Sequence, residues 1–557
     1  MIHIIHPLIF WLASHPACPL LLSLMALSSL LLGPRNWLHN ILSHRVALLV
    51  AYACIFLYTM IVIAYLCTSV LIEHLEPTLI MNAAAWIHGF PMYPGLRQPE
   101  LYGMLYGPVP AILVGLGQIL LGATIFACKF PIIACSLSTA ALLYYLLRRE
   151  FGHHLAIIGS AICLISLLLF HDYSYSVRVD PVLVFFVCLA LFASRIARFW
   201  PNVLLGALAL ALAADAKAHA PLYILPALAL MAEESGLLRP IMIVLLGALL
   251  GLLPFYGLPN ISLPFYIHML LLGLKEHRLL YFQPLWLLTW LLLAIFPCCL
   301  AAVIITDSWE KFKSSISRHY ILLIAMAVSF LLTTLIASKE GAGPHHYMPY
   351  APFLAYLFCR MVSRGKDGRL MGWRLKLLPV MATAWALAVI FVAGVAQTSI
   401  WRHILRERAM AGAALSNIRS AERRFPGAAI VMGYRAHESP STYYRAQLVM
   451  DGNPPFMDAA AMMDRREAGL SLPHSVIHVL KSGRISLFLI PRQSEPLFTL
   501  RSWYQSKYRL FNSSFRHAFL DNYSHVGNGQ VFEYWVYKGY QRLPVHQGAE
   551  SKIAAMR

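Results

Sequence analysis

The chain has 557 residues, of which 59% are apolar and only 12% charged, with a mean hydropathy of +0.64. An average water-soluble domain is roughly 25% charged, so the composition excludes one and specifies a polytopic helical membrane protein with room for a soluble appendage. The net charge of +19, from 44 basic and 25 acidic residues, reads on such a chain as a record of topology and not of nucleic-acid binding.

The first apolar run, 7–33, lacks a basic leader and a small-residue cleavage site, which reads as a retained span with a proline kink. A span needs about 20 apolar residues. Further candidates follow at 47–71, 131–147, 155–171, 181–196, 202–216, 221–233, 237–257, 283–305, 320–337, 347–361 and 376–397. Residues 109–127 are also apolar, but the charge pattern requires an odd number of crossings between Tyr106 and Arg148. This segment is therefore expected to lie at the interface or re-enter, with 131–147 as the crossing.

Basic residues in the turns set the orientation. Sixteen, from Arg35 and Arg45 through Arg148, Arg149, Arg195, Arg198 and Arg239 to the cluster Arg360–Lys376, fall on one side. The opposite turns hold six, namely Arg97, Arg178, Lys217, Lys275, Arg278 and Lys339, and Lys129 is left without a side. The positive-inside rule then puts the 73–110 loop, the 171–181, 217–221 and 338–346 turns, and everything beyond residue 400 outside the cytoplasm. All ten cysteines precede residue 400, lie in apolar runs and show no ligand spacing, so they are read as small core residues.

Past Gln397 the pattern changes. Short β-like runs (Ala428–Met432, Ser486–Ile490, Val531–Val536) alternate with polar turns and helix-like stretches. Residues 1–400 are thus expected to form the membrane domain, with external loop 73–110, and 401–557 a soluble extracytoplasmic α/β domain. About 155 residues suffice to bury a core.

The external turns concentrate side chains that need a reason. Glu73 and Glu76 precede a helix opened by Pro77 and stopped by Gly89; Glu76 serves there as a helix-start acid, favoured by the dipole, or as something more. Arg178 and Asp180 flank the start of a span beside Pro181, as an ion pair that fixes the turn. Lys217 and His219 sit before Pro221, and Lys339, His345 and His346 before another span. Adjacent histidines point apart, so a two-histidine metal site is not expected. Snorkelling explains Lys217 and Lys339 singly. Together, though, the external cations, histidines and carboxylates gather on one rim while the middles of the spans carry almost no charge. Ion-coupled transporters do the reverse, keeping ionisable groups near the midplane.

The order of these pieces carries a resemblance. An acidic external loop is followed by Gly89-x-x-x-Tyr93 and Leu105-Tyr-Gly-Pro-Val-Pro110. Then come Arg178-Val-Asp180-Pro181, Lys217 before Pro221, and His345-His346-Tyr-Met-Pro349. This resembles the GT-C superfamily of polyprenyl-phosphate-sugar-dependent glycosyltransferases, over about residues 47–360. The likeness is nearest to the bacterial family 39-like branch related to protein mannosyltransferases and lipid A aminoarabinose transferases. It implies a GT-C-like bundle of about 12 spans with a C-terminal extracytoplasmic α/β domain. The activity it implies is inverting transfer of a sugar from a polyprenyl-phosphate donor to a lipid, glycan or protein acceptor, in the bacterial inner (plasma) membrane with the C-terminal domain periplasmic.

Residue by residue, the resemblance makes an acid of the first external loop the general base, Glu76 at the better-matching position or Glu73 one turn earlier. Asp180 joins them as the acid of the family's Arg-x-Asp turn. Family members carry Asp or an Asp-Glu pair where this chain has Leu75-Glu76. Transfer needs a carboxylate to take the acceptor's proton and cations around the leaving phosphate, for which Arg178, Lys217, Arg97, His345 and His346 are the candidates. Tyr93, Tyr102 and Tyr106 are candidates for sugar or lipid contact, or for an interfacial tyrosine belt. Some GT-C enzymes use a divalent metal; with cations available for the phosphate, the expectation here is no metal and no other cofactor. The expected partners are the lipid-linked donor, the acceptor and membrane lipids, not nucleic acid. Two readings from other classes are a lipid-linked glycan flippase or transporter, and a non-catalytic envelope scaffold.

Overall fold

The computed structural model describes residues 44–276, 278–305, 310, 313, 317–367, 372–504 and 508–540. The expected first span at 7–33 lies outside them, as does Arg35. The chain divides into two compact units, each assembled from separated stretches.

The first unit comprises Met1–Tyr65, Ile133–Leu252 and Arg278–Trp401. Its helices are apolar on nearly every face, the pattern a bilayer demands because their backbone groups are satisfied internally. They are α1 (His44–Leu66), most of α4 (Ile125–Phe151), α5 (His153–Leu168), α6 (Val179–Ser194), α7 (Phe199–Ala214), α8 (Pro221–Ser235), α9 (Leu238–Leu250), α11 (Gln283–Ile305), α12 (Tyr320–Ala337), α13 (Ala351–Asp367) and the start of α14 (Gly372–Arg424). Among the described residues of the whole chain, six helices are long and apolar enough to cross a membrane. Leu49, Phe56, Leu245 and Leu331 stand on their exposed faces, where lipid would meet them.

In this unit α7 packs between α6 and α9, α8 against α12, and α13 against α5 and α11. Gly206 gives room to Ile243 and Gly247 to Leu210, the small-residue contacts that join helices without a hydrophobic drive between them. The charges of α6 sit at its ends. At the C-terminal end Arg195 pairs with Glu150 at 2.9 Å and with Glu234, which also holds Arg360 at 2.7 Å. Arg178 and Asp180 occupy the other end, about 24 Å away at 1.5 Å per residue.

The second unit comprises Leu66–Ile132, Leu253–His277 and Arg402–Arg557. The first external loop therefore belongs to the same compact unit as the C-terminal third. The boundary expected at residue 400 falls inside α14, which runs unbroken from Gly372 to Arg424; no glycine or proline stands between Val395 and Ala411, where the apolar span passes into an amphipathic stretch.

Within this unit α2 (Leu75–Ile87) ends on Gly89, whose φ of 80° only a glycine adopts freely. The Gly89 amide donates to the Trp86 carbonyl and the Phe90 amide to that of Ala85, closing the helix as a Schellman turn. Helix α3 (Val109–Leu121) has 13 residues, about 20 Å, too short for a hydrocarbon core of about 30 Å. It stops at Gly122, and the 27-residue α4 begins at Ile125. The two helices are thus separate, and α4 starts six residues before the expected 131. Helix α10 (Leu263–Glu276), not anticipated, completes the membrane-side part of this unit.

The remainder is a small α/β fold. Strands β1 (Ile430–Met432), β2 (Leu487–Pro491), β3 (Tyr523–Asn528) and β4 (Phe532–Tyr537) form a sheet in the order β1-β2-β4-β3. The β1–β2 pair is parallel and the other two are antiparallel. Helices α15 (Arg445–Met450), α16 (Ala459–Glu467), α17 (His474–Ser482) and α18 (Ser513–Asn522) surround it. The core centres on Phe488, Phe498 and Phe519. Three strands coincide with the expected runs. The fourth, β3, is half-exposed with a bulge at Gly527, and so carries no apolar alternation.

Candidate active site

The first unit brings five of the expected residues, Arg178, Asp180, Lys217, His345 and His346, together around the start of α6. Arg178 lies in extended backbone just before the helix, and Asp180 sits in its first turn, where the dipole favours an acid. Arg178 Nε donates to Asp180 Oδ2 at 3.1 Å, and Lys217 Nζ donates to Asp180 Oδ1 at 3.1 Å. All three side chains are buried. The Arg178 guanidinium lies 4.1 Å over the Tyr173 ring, which in turn packs 4.7 Å from His345. His345, His346 and His219 continue as a ring stack, with Tyr223 hydroxyl 3.1 Å from His219 Nε2 and 3.4 Å from His346 Nδ1.

Burial decides the charge of this cluster. It pushes His345 and His219 down to about 3 and holds His346 well below its ordinary range. It also lowers Lys217, against the opposing pull of Asp180. Burial therefore favours the neutral form of these histidines near pH 7. In that form they offer hydrogen bonds. The ionised members, Arg178, Asp180 and Lys217, leave one net positive charge in a dry setting, where an anion feels it strongly.

Tyr173 and His345 line the wall of a groove of about 880 Å³, together with Arg278, Tyr281, Phe282 and Trp286. Tyr281 and Phe282 are almost fully exposed. A cationic cluster at the edge of an aromatic groove suits a phosphate on an apolar tail. Nearby, His171 holds a left-handed φ of 58° and a buried Nδ1 without a hydrogen-bond partner, local strain of the kind that collects at functional sites.

The acidic loop is built within the second unit. Glu76 is fully buried; its Oε2 accepts from the amides of Ile72 and Glu73, so its carboxylate fastens its own loop. Lys129 donates to the Thr68 carbonyl at 3.0 Å and the Val70 carbonyl at 2.8 Å, and Glu76 is its strongest charge partner. The Glu73 side chain is 15% exposed and lies 3.8 Å from His74.

The C-terminal third clasps this loop. Tyr444 hydroxyl donates to the Ser69 carbonyl, and His74 packs 4.0 Å from Trp503. Thr78 Oγ1 donates to both oxygens of Asp458 at 3.0 and 3.1 Å. Arg445, itself bound to Asp458 through Nε at 2.8 Å, reaches Thr78 Oγ1 and the His74 carbonyl at 3.4 Å and Glu438 at 3.3 Å.

Burial, against the pull of Arg445, pushes Glu438 up to about 8. The folded state thus holds a proton on Glu438 that the unfolded chain releases near pH 4.5. Its contribution to stability is full at low pH and is lost as pH rises through about 8. Glu438→Gln is therefore expected to raise the thermal midpoint at pH 8 while changing it little at pH 5. Parallel melts at the two pH values check this, and an equal shift at both would contradict it.

The remaining expected residues fare differently. Tyr93 and Tyr102 are buried, with hydroxyls donated to the Tyr106 carbonyl at 2.9 Å and the Pro91 carbonyl at 2.7 Å. They pack into the core of the loop, and Tyr106 stays half-buried. Arg97 is exposed in the second unit, and its carbonyl accepts from Ser475 Oγ. Lys129, Arg278, Arg445, Asp458 and Glu438 were missed. Arg278 stood in the sequence only as a topology marker, Lys129 was assigned to neither side, and the other three belonged to a domain with no motif.

Residues 106–260, which carry Arg178, Asp180 and Lys217, match the dolichyl-phosphate-mannose-protein mannosyltransferase family. No curated protein matches the chain in sequence. The crystal structure of ArnT from Cupriavidus metallidurans bound to undecaprenyl phosphate superposes with a TM-score of 0.53 at 12% identity, covering 88% of this chain and 99% of that one. The apo state of the same protein gives 0.50 at 10% identity, covering 87% and 97%. At these identities the likeness is one of fold. The chain has an ArnT-like fold, with six helices among its described residues long and apolar enough to cross a membrane.

Proposed function

We propose that this protein is an integral-membrane inverting glycosyltransferase. It takes a sugar from a polyprenyl-phosphate donor and passes it to an extracytoplasmic lipid, glycan or protein acceptor. The observation that carries the reading is the buried Arg178–Asp180–Lys217 cluster beside the aromatic groove, in a fold whose solved example holds undecaprenyl phosphate.

In this reading Arg178 and Lys217 attract the donor's phosphate, and Asp180 holds them in place. The neutral His345 and His346 add hydrogen bonds to it. Arg178 suits bidentate contact and Lys217 point-charge contact. As the acceptor oxygen bonds to the anomeric carbon, the bond from that carbon to the phosphate oxygen breaks. The cations stabilise the charge that the phosphate gains. A loop carboxylate takes the acceptor's proton. Of the two glutamates, Glu73 is the better base because its side chain is partly open, whereas Glu76 is committed to the amides of Ile72 and Glu73. No metal or cofactor is part of the proposal. The basic residues of the turns support an extracytoplasmic second unit, and the resemblance to the bacterial branch supports an inner membrane with that unit periplasmic.

The test is mass spectrometry of envelope glycans and glycolipids in a deletion strain complemented with wild type, Glu73→Gln or Glu76→Gln. Wild type is expected to restore the missing sugar, and Glu73→Gln to restore under about 1% of it, a general-base loss of 10²–10⁴. Glu76→Gln should act mainly by lowering the amount of folded protein. Full restoration by both variants would remove the loop acids from the chemistry.

A further inference from the structure

Apart from the loop and the ion cluster, the second unit contains a cavity of about 410 Å³ between α16, the loop that follows it, and the start of α18. Four arginines line it, Arg465, Arg466, Arg509 and Arg516, and none of its lining residues is acidic. Among the described residues none of the four is ion-paired. The acids of α16 outside the lining have partners of their own: Asp464 accepts from Tyr504 hydroxyl at 3.3 Å and Glu467 from Ser502 Oγ at 3.3 Å. Arg465 is buried and donates to the Leu96 carbonyl at 2.6 Å. Arg466 is held 5.0 Å over the Tyr508 ring.

Two further donors point the same way. Arg516 Nε is buried and lacks a hydrogen-bond partner. Asn512 caps α18, accepting from the Phe515 amide at 2.8 Å, so the first-turn amides of Ser513 and Ser514 remain at the positive end of a ten-residue helix. Four like charges around one cavity repel one another, and a chain under no demand would place an acid among them. The rest of the wall includes apolar Leu101, Leu470 and Phe511.

We propose that this cavity binds a phosphate-bearing saccharide. Guanidinium forks match phosphate oxygens in pairs, the helix start adds backbone donors, and the apolar wall takes the faces of a sugar ring. The volume fits one or two rings and is far too confined for a nucleic-acid strand. The proposal concerns binding and stands without the transfer reaction.

Purified full-length protein in a neutral detergent is titrated by calorimetry with glucose 6-phosphate, glucose and inorganic phosphate. Glucose 6-phosphate is expected to bind at least ten-fold more tightly than either, with affinity falling as salt rises. In Arg466→Gln/Arg516→Gln the affinity should fall ten-fold or more. Ser513→Asp offers a second route, since an acid in the first turn favours the helix while placing an anion in the site; it too should weaken binding. Competition with dioctanoyl phosphatidylinositol 4-phosphate identifies the source: tighter binding of that short-chain lipid assigns a lipid headgroup, and weaker binding a free sugar phosphate. Equal affinities for glucose and its phosphate, inorganic phosphate binding as well as the sugar phosphate, or undiminished binding in both variants would each overturn the proposal.

Discussion

Replacing Asp180 by alanine is expected to cost about 3–5 kcal/mol of stability, the usual consequence of breaking a buried ion pair from one side. The transfer of sugar should be lost with it. Asp180 accepts from Arg178 and Lys217 at 3.1 Å each, and all three side chains lie within a few per cent of full burial. Without the carboxylate, two desolvated cations face each other and splay, and the phosphate cradle loses its shape. The expectation separates charge from space. Asp180→Ala/Lys217→Met removes one acid and one base together and should recover most of the lost thermal midpoint, since replacing a whole buried pair by apolar groups is often near neutral. Activity should not return, because Lys217 is itself a proposed phosphate ligand. Melting in detergent and donor turnover read the two effects. A single variant as stable as wild type would show that the cluster is solvated, and the charge argument would fail.

Replacing Arg445 by methionine should have a comparable effect on the second unit, again about 3–5 kcal/mol. Arg445 is buried with Asp458 and Glu438, and the same guanidinium reaches Thr78 Oγ1 and the His74 carbonyl. Two acids are left without their cation. Glu438 can take a proton, being already pushed up to about 8, so Asp458 carries most of the penalty. Arg445→Lys keeps the charge but not the planar fork, and a smaller loss is expected. Hydrogen exchange gives the discriminating readout: amides of residues 69–79 should exchange faster in Arg445→Met. If stability falls while those amides stay protected, Arg445 holds the C-terminal fold and not the loop.

The fold was largely legible because apolar runs of spanning length, the side bias of arginine and lysine, and the change of pattern near Gln397 each have a direct physical cause. Grouping was not. Nothing local to residues 66–132 announces that they share a compact unit with residues 402–540, since their contacts depend on pairs such as Thr78–Asp458. Of the site, Arg178, Asp180 and Lys217 were readable as ionisable groups at helix starts beside prolines. The charge state of His345 and His346 was not, because it follows from burial. Tyr93 and Tyr102 show the same limit: a tyrosine near an interface looks alike in sequence whether its hydroxyl meets a ligand or a carbonyl of its own loop. Lys129 lay hidden inside an apolar run, where a lysine resembles a defect until the carbonyls of Thr68 and Val70 are seen around it.

Thr78 and Asp458 are 380 residues apart in the chain. A ribosome adding about 5–20 residues per second needs roughly 20–75 s to go from one to the other. During that interval the helix Leu75–Ile87 has been synthesised but its carboxylate partner has not. The nascent loop must therefore wait, open to proteases and chaperones, until the last third of the polypeptide arrives. A stop codon anywhere before Tyr444 would leave every preceding segment intact in sequence and still deprive the loop that carries Glu73 and Glu76 of Tyr444, Arg445 and Asp458.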